Sequence, residues 1–214
     1  MYQLAIFDLD GTLLDTLDDL HQALNYALGT QGFAPRTREE VRAFVGNGIR
    51  RLLECGVPAT ATPEQIDAVQ AAFTPYYARH CTDNTRPYDG VVPLLKELAQ
   101  QGVVCALVSN KPDYAVQTLC AQYFPGLLAA CAGAKDTVRK KPYPDAVFAV
   151  MQTLGLQNAR AVYIGDSEVD LLTAKNAALP CIAVSWGFRD REVLVAAGAT
   201  IVCDTPQALR EALL

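Results

Sequence analysis

The stretch Ile6-Phe7-Asp8-Leu9-Asp10-Gly11-Thr12 sets two carboxylates on either side of one leucine, where an apolar run stops and a glycine turn begins. A buried strand running straight into two charges needs partners or a metal for them, because an unpaired carboxylate is costly to bury. Ligands of open α/β sheets also bind beyond the carboxyl ends of strands. Three further places carry matching groups. Val108-Ser109-Asn110 closes a second apolar run with a hydroxyl, and Lys141-Pro142-Tyr143-Pro144 puts an ammonium just before a helical stretch. Gly165-Asp166-Ser167-Glu168-Val169-Asp170 closes another run with acids one helical turn apart. Each has an ordinary structural reading: Asp8 and Asp10 as turn residues, Ser109 as a helix cap, Lys141 as a solvated lysine, Asp166 and Asp170 as acids at a helix N-terminus. Their recurrence at successive strand ends argues for one shared site instead.

Other chemistries drop out by composition. Only two histidines are present, His21 and His80, so a dense histidine metal site is excluded. None of the seven cysteines has an arginine six residues on, and there is no G-x-x-x-x-G-K. Gly46-Asn47-Gly48 lacks the third glycine of a dinucleotide fingerprint, and Gly165-Asp166-Ser167-Glu168-Val169 lacks the second glycine of a nucleophile elbow. Catalysis is left to carboxylates, lysine and serine.

These groups need a scaffold, and the apolar pattern supplies one. Short apolar runs recur at 3–7, 103–108, 127–131, 161–164, 181–184 and 200–202. Between most of them lie helical patterns near 91–100, 113–122, 145–154, 169–177 and 192–197. Continuous apolar strands alternating with helices predict an α/β fold, a doubly wound parallel sheet. Residues 15–85 break the rhythm, with helical periodicity at 17–28, 39–44, 49–54 and 63–79 and no convincing strand. They read as a smaller α-helical domain inserted into a core made of 1–14 and 86–214, with Arg86-Pro87-Tyr88-Asp89-Gly90 as the return hinge.

The 214 residues suffice for one core plus something small. With 18 Lys+Arg against 23 Asp+Glu, a net charge of -5, there is no general footprint for nucleic acid or an anionic membrane. No apolar run approaches the roughly 18 residues of a membrane span, and the N-terminus lacks a signal-peptide pattern. An odd number of cysteines, several within apolar runs and none in a C-x-x-C pair, predicts free thiols in a reducing cytoplasm.

Asp8-Leu9-Asp10-Gly11-Thr12, Ser109, Lys141-Pro142 and Gly165-Asp166 with Asp170 resemble, in order, the four motifs of the haloacid dehalogenase-like hydrolases. The resemblance spans the whole chain and implies a Rossmann-like core whose helical cap is inserted between the first two motifs. Within the family it looks most like the phosphoglycolate phosphatase branch, through Val45-Gly46-Asn47-Gly48, Val108-Ser109-Asn110-Lys111-Pro112 and Val184-Ser185-Trp186-Gly187. It implies a phosphomonoester hydrolase with an aspartyl-phosphate intermediate: Asp8 as nucleophile, Asp10 as general acid and base, Ser109 and Asn110 on the phosphoryl oxygens, and Lys141 neutralising charge on them. It also implies Mg²⁺ as cofactor, held by Asp8, the Asp10 carbonyl and Asp166, with Asp170 orienting waters or Lys141 behind them. The Lys-Pro-x-Pro pattern selects Lys141 over the adjacent Lys140.

The implied substrate is a small phosphorylated metabolite, 2-phosphoglycolate first, with pyrophosphatase, sugar-phosphate phosphatase and phosphomutase as alternatives. No motif residue is missing, which speaks against a binding module that has lost turnover. Monomer and homodimer both stay open. Two wordings depart from the family pattern: Ala178 stands for a common glycine, and the insert begins Thr16-Leu17-Asp18-Asp19. Specificity is expected in the insert. Gly46-Asn47-Gly48 ahead of a helix makes an anion pocket, with Arg50 as partner. Arg36, Arg38, Arg42, Arg50 and Arg51 against Glu39 and Glu40 give that segment a local excess of positive charge.

Overall fold

Leu4-Ala5-Ile6-Phe7 is wholly buried because it forms a strand near the middle of a sheet covered on both faces. The computed structural model describes residues 1–214. Its strands are β1 (Leu4–Phe7), β2 (Leu14–Asp15), β3 (Arg86–Pro87), β4 (Val104–Pro112), β5 (Ala130–Ala134), β6 (Ala161–Gly165), β7 (Cys181–Val184) and β8 (Val202–Cys203). The helices are α1 (Leu17–Thr30), α2 (Arg38–Phe44), α3 (Ile49–Gly56), α4 (Pro63–His80), α5 (Val91–Gln100), α6 (Asp113–Tyr123), α7 (Asp145–Thr153), α8 (Glu168–Asn176), α9 (Arg191–Ala196) and α10 (Pro206–Leu213).

Six strands form one parallel sheet in the order β5-β4-β1-β6-β7-β8, the doubly wound α/β core expected from the sequence. Side chains alternate along each strand. Ala5 and Phe7 join Leu107, Val162 and Ile164 beneath α5, α6 and α10, while Leu4 and Ile6 join Val108 and Tyr163 beneath α7 and α8. Both faces are covered, so the strands read as unbroken apolar runs. Register pairs Phe7 with both Leu107 and Ile164. The residues that follow Phe7, Leu107 and Ile164 therefore stand at one level, side by side.

Helices α1–α4 lie between β2 and β3, which pair antiparallel as a two-stranded ribbon outside the main sheet. They have their own cluster, including Leu24, Leu53, Val69, Phe73 and Tyr77, joined by Ala115 and Phe188 from the α/β part. Their starts are set locally. Thr37 and Glu40 form a reciprocal capping box, as do Thr62 and Gln65, with Pro63 opening α4.

Four strands depart clearly from the apolar pattern. β4 runs on to Pro112, with a register irregularity after Val108, so Ser109, Asn110 and Lys111 belong to the strand. β5 begins three residues later than its apolar run, because Gly126, at φ 72°, sustains a turn from which Leu127 and Leu128 pack on the core. The ribbon strands are two residues each, too short to leave a period.

α8 ends in a Schellman motif: Leu179 N–H donates to the Ala174 carbonyl at 2.9 Å and Ala178 N–H to that of Lys175 at 3.1 Å. Ala178 takes the left-handed position at φ 55°, the one non-glycine residue with positive φ. Since a Cβ is disfavoured there, Ala178→Gly is expected to stabilise the protein by about 1 kcal/mol, read as a raised urea midpoint at unchanged m-value.

Candidate active site

Asp8 continues β1, its N–H donating to the Ile164 carbonyl at 2.8 Å. The chain then folds around one oxygen: the N–H groups of Thr12, Leu13 and Leu14 all reach the Leu9 carbonyl, and Gly11 N–H reaches that of Leu14. None of these loop bonds ends on the Asp10 carbonyl. Trp186 Nε1 holds the loop by donating to the Thr12 carbonyl at 3.0 Å.

The sheet edge brings four distant segments together. Lys141 Nζ lies 2.9 Å from Asp8 Oδ1 and 2.8 Å from Asp170 Oδ1, with side-chain exposures of 2%, 8% and 0%. Asp170 Oδ2 accepts from Ser167 N at 3.1 Å and Ser167 Oγ at 2.5 Å, so both its oxygens are spent on positioning. Asp166 accepts from Thr12 Oγ1 at 3.1 Å and from Phe188 N–H at 2.7 Å. Three glycines make this crowding possible: a Cβ on Gly165 would overlap the Asp170 carboxylate, and one on Gly11 or Gly187 would overlap that of Asp166. Lys141 is buried and Lys140 exposed, which separates the two lysines.

Asp8, Asp166 and Asp170 offer oxygens within 4.8 Å of one another. Burial pushes Asp8 up to about 7 against the pull of Lys141, with Asp170 adding to the rise. Burial, then Asp170 and Asp8, pushes Asp166 up to about 8. Burial also works against the Lys141 charge, but Asp170 and Asp8 outweigh it and hold the ammonium well above the usual lysine range. Three buried carboxylates thus face one buried ammonium, a shortfall of two positive charges. A divalent cation with a preference for hard oxygen ligands fits that shortfall and this donor set.

Asp10 is turned differently. Its Oδ1 accepts from Thr16 Oγ1 and from Lys111 Nζ, both at 2.7 Å. The Lys111 side chain is 0% exposed, and its ammonium lies 4.9 Å from the Tyr77 ring centre. Ser109 Oγ accepts from Lys111 N–H at 3.2 Å and keeps its own proton to donate. The Asn110 side chain is already committed: Oδ1 accepts from Lys141 N–H at 2.8 Å, and Nδ2 donates to the carbonyls of Lys141 and Gly46. Its side-chain amide therefore fixes the Lys141 backbone and is not free for a phosphoryl oxygen, which leaves that contact to main-chain N–H groups.

A cavity of about 30 Å³ lies between these residues and the α1–α4 helices, lined by Asp8, Asp10, Ser109, Lys111 and Asp166 with Gly46 and Gly48 above. Asn47 is exposed, and neither it nor Arg50 lines the cavity. Arg50 pairs with Asp67, and with Glu54 at 3.3 Å, so it is not positioned as an anion partner. Arg36, Arg38, Arg42 and Arg51 are paired too, with Glu40, Asp18, Asp190 and Glu54. The local positive excess is therefore neutralised, by Glu40 and Glu54 close by in sequence and by Asp18, Asp67 and Asp190 farther off.

The sequence pattern missed Lys111, Thr12, Thr16 and Arg189. Arg189 donates to the carbonyls of Arg42 at 3.0 Å and Val45 at 2.9 Å, while Arg42 reaches back to the Gly187 carbonyl at 3.2 Å. Two crossed arginines thus fasten the α2 end to the loop after β7. Lys111 and Thr12 left a readable signal, one next to Ser109 and Asn110 and the other closing the Asp8–Thr12 stretch.

This arrangement and fold define a hydrolase class: residues 5–184 match the haloacid dehalogenase-like hydrolase family, and the chain belongs to it. Among relatives, it is 36% identical to a phosphoglycolate phosphatase of Pseudomonas fluorescens Pf0-1, over 94% of this chain and 76% of that one. It is also 36% identical to a phosphoglycolate phosphatase of Caulobacter vibrioides, over 94% and 88%. A crystal structure of a proposed phosphoglycolate phosphatase from Lactobacillus delbrueckii subsp. bulgaricus superposes with a TM-score of 0.94 at 40% identity, covering 100% of this chain and 98% of that one. CbbY from Rhodobacter sphaeroides, solved in complex with phosphate, gives 0.78 at 26% identity, covering 96% and 95%.

The raised Asp8 and Asp166 carboxyls set a pH dependence. Their protonated forms favour the folded state, so their contribution is complete below about pH 4 and is lost as pH rises through about 7 and about 8. The melting temperature of metal-free protein should carry a falling component between about pH 5 and about pH 8.5, and Asp166→Asn should flatten it. An added divalent cation should raise the melting temperature more at the alkaline end, where the ligands are ionised.

Proposed function

We propose that the protein is a Mg²⁺-dependent phosphomonoesterase acting through an aspartyl-phosphate on a small phosphorylated metabolite, 2-phosphoglycolate. The observation that carries this reading is the buried set of Asp8, Asp166 and Asp170, with Lys141 held by Asp8 and Asp170 and Asp10 alongside on its own lysine. The phosphoglycolate phosphatases among the relatives support the substrate.

Asp8, the free Asp10 carbonyl and Asp166 would hold Mg²⁺. When bound, it supplies the positive charge that keeps Asp8 ionised and lets a phosphate dianion approach. Asp8 attacks phosphorus, an Asp8–phosphorus bond forms and the ester P–O bond breaks. Asp10 gives its proton to the departing oxygen, then takes one from the water that attacks phosphorus. The Asp8–phosphorus bond breaks, releasing inorganic phosphate and restoring the carboxylate. Lys141 and the Ser109 hydroxyl stabilise the transferring oxygens, and Asp170 keeps Lys141 aimed.

Residues 15–85 act as a cap domain over the core, closing the cavity to bulk water during transfer. The Gly46 and Gly48 backbone forms its ceiling. Seven free thiols suit a reducing compartment, the cytoplasm.

Asp8→Asn should lower kcat for 2-phosphoglycolate by about a thousandfold or more and abolish acid-stable labelling of the protein by ³²P-substrate. Unchanged turnover would remove the nucleophile assignment. Asp10→Asn should slow turnover by about 10²–10⁴-fold. A panel containing 2-phosphoglycolate, pyrophosphate and hexose phosphates, ranked by kcat/KM and scored for free phosphate, tests the substrate and separates hydrolysis from phosphoryl return to a sugar.

A further inference from the structure

A phosphomonoesterase that selects a metabolite must read something beyond the phosphoryl group, and in 2-phosphoglycolate that feature is a carboxylate on the leaving side. Two cations line the cavity, Lys111 and Arg189. Arg189 is committed, with Nε on Glu168 at 3.1 Å and its other nitrogens on main-chain carbonyls. Lys141 lies on the phosphoryl side, held by Asp8 and Asp170. Arg50 is paired outside the cavity.

Lys111 differs from all three. Its ammonium has three N–H donors, and one hydrogen bond accounts for it, to Asp10 Oδ1 at 2.7 Å. The ammonium also lies against the Tyr77 ring face, which attracts a cation without accepting a full hydrogen bond. Tyr77 itself is buried on α4, and its hydroxyl is the one buried side-chain polar atom with no partner. A fully buried ammonium with donors to spare is thus held between one residue of the core and one of the inserted helices.

The position matters because of what Asp10 touches. As general acid, Asp10 hydrogen-bonds the ester oxygen in the transition state. In 2-phosphoglycolate the carboxylate carbon is two bonds from that oxygen, which sets its own oxygens about 3 Å away. A cation already bonded to Asp10 is therefore adjacent to the place a leaving-group carboxylate must occupy.

We propose that Lys111 is the specificity residue, binding an anionic group two bonds beyond the ester oxygen and so selecting phosphomonoesters of α-hydroxy acids. This rests on the phosphatase reading above. It also assigns a task to both partners of the ammonium: Asp10 aligns it with the leaving oxygen, and Tyr77 holds its charge where water is excluded.

The test compares 2-phosphoglycolate with ethyl phosphate, which matches it in size around the ester oxygen but has no carboxylate. Wild-type protein should prefer 2-phosphoglycolate in kcat/KM. Lys111→Met should slow both substrates, since Asp10 loses its partner, but lower the preference by about thirtyfold or more, the scale of a lost hydrogen bond between charged groups. An unchanged preference ratio would overturn the assignment while leaving the phosphatase reading intact. A wild-type protein that hydrolyses phosphate esters without preferring 2-phosphoglycolate would overturn both the substrate and this residue's role. Arg189→Met serves as the contrast, and a selective loss there instead would move the carboxylate to Arg189. If Lys111→Met does not fold, Lys111→Arg carries the test through KM. Its displaced charge should raise KM for 2-phosphoglycolate at least fivefold more than for ethyl phosphate, and equal shifts would overturn the proposal.

Discussion

Carboxylates out of water at the end of a buried sheet are the constraint on which the rest depends. Asp8, Asp166 and Asp170 would repel one another and drive β1 and β6 apart if nothing answered their charge. Lys141 answers part of it, and Asp170 gives up both oxygens to keep Lys141 in place. The glycines at 11 and 165 are the steric side of the same requirement, since a methyl group at either would displace a carboxylate. Even the parallel register serves it, because pairing Phe7 with both Leu107 and Ile164 brings Asp8, Ser109 and Asp166 to one cavity.

Much of this was legible in the sequence because it is carried by local pattern. Apolar runs followed by Asp, Ser or Gly-Asp marked β1, β4 and β6 and the residues beyond them, and Asp8, Asp10, Ser109, Lys141, Asp166 and Asp170 do meet. What was hidden depends on contacts between distant segments. Lys111 looks like any lysine beside a proline until β4 is seen to extend past Val108 and bury it. Arg50 looked like an anion partner because Asp67, which pairs with it, lies a helix away. Asn110 was read for its place in a motif, yet its amide is taken up by the Lys141 backbone.

Two lysines divide the site by task. Lys141 belongs to the core alone and sits between Asp8 and Asp170. Lys111 also rises from the core, but its second neighbour, Tyr77, comes from the inserted helices. On the proposed reading, phosphoryl chemistry and substrate choice fall to different cations, and of the two only Lys111 touches the inserted helices.

The crossed arginines have an evolutionary corollary. Arg189 grips the carbonyls of residues 42 and 45, and Arg42 grips that of Gly187, so most of this clasp engages main chain rather than side chains. A bond to a carbonyl is indifferent to the residue that bears it. The ceiling of the cavity can therefore drift in sequence, and descendants can sample new leaving groups, without the two halves losing their grip on each other.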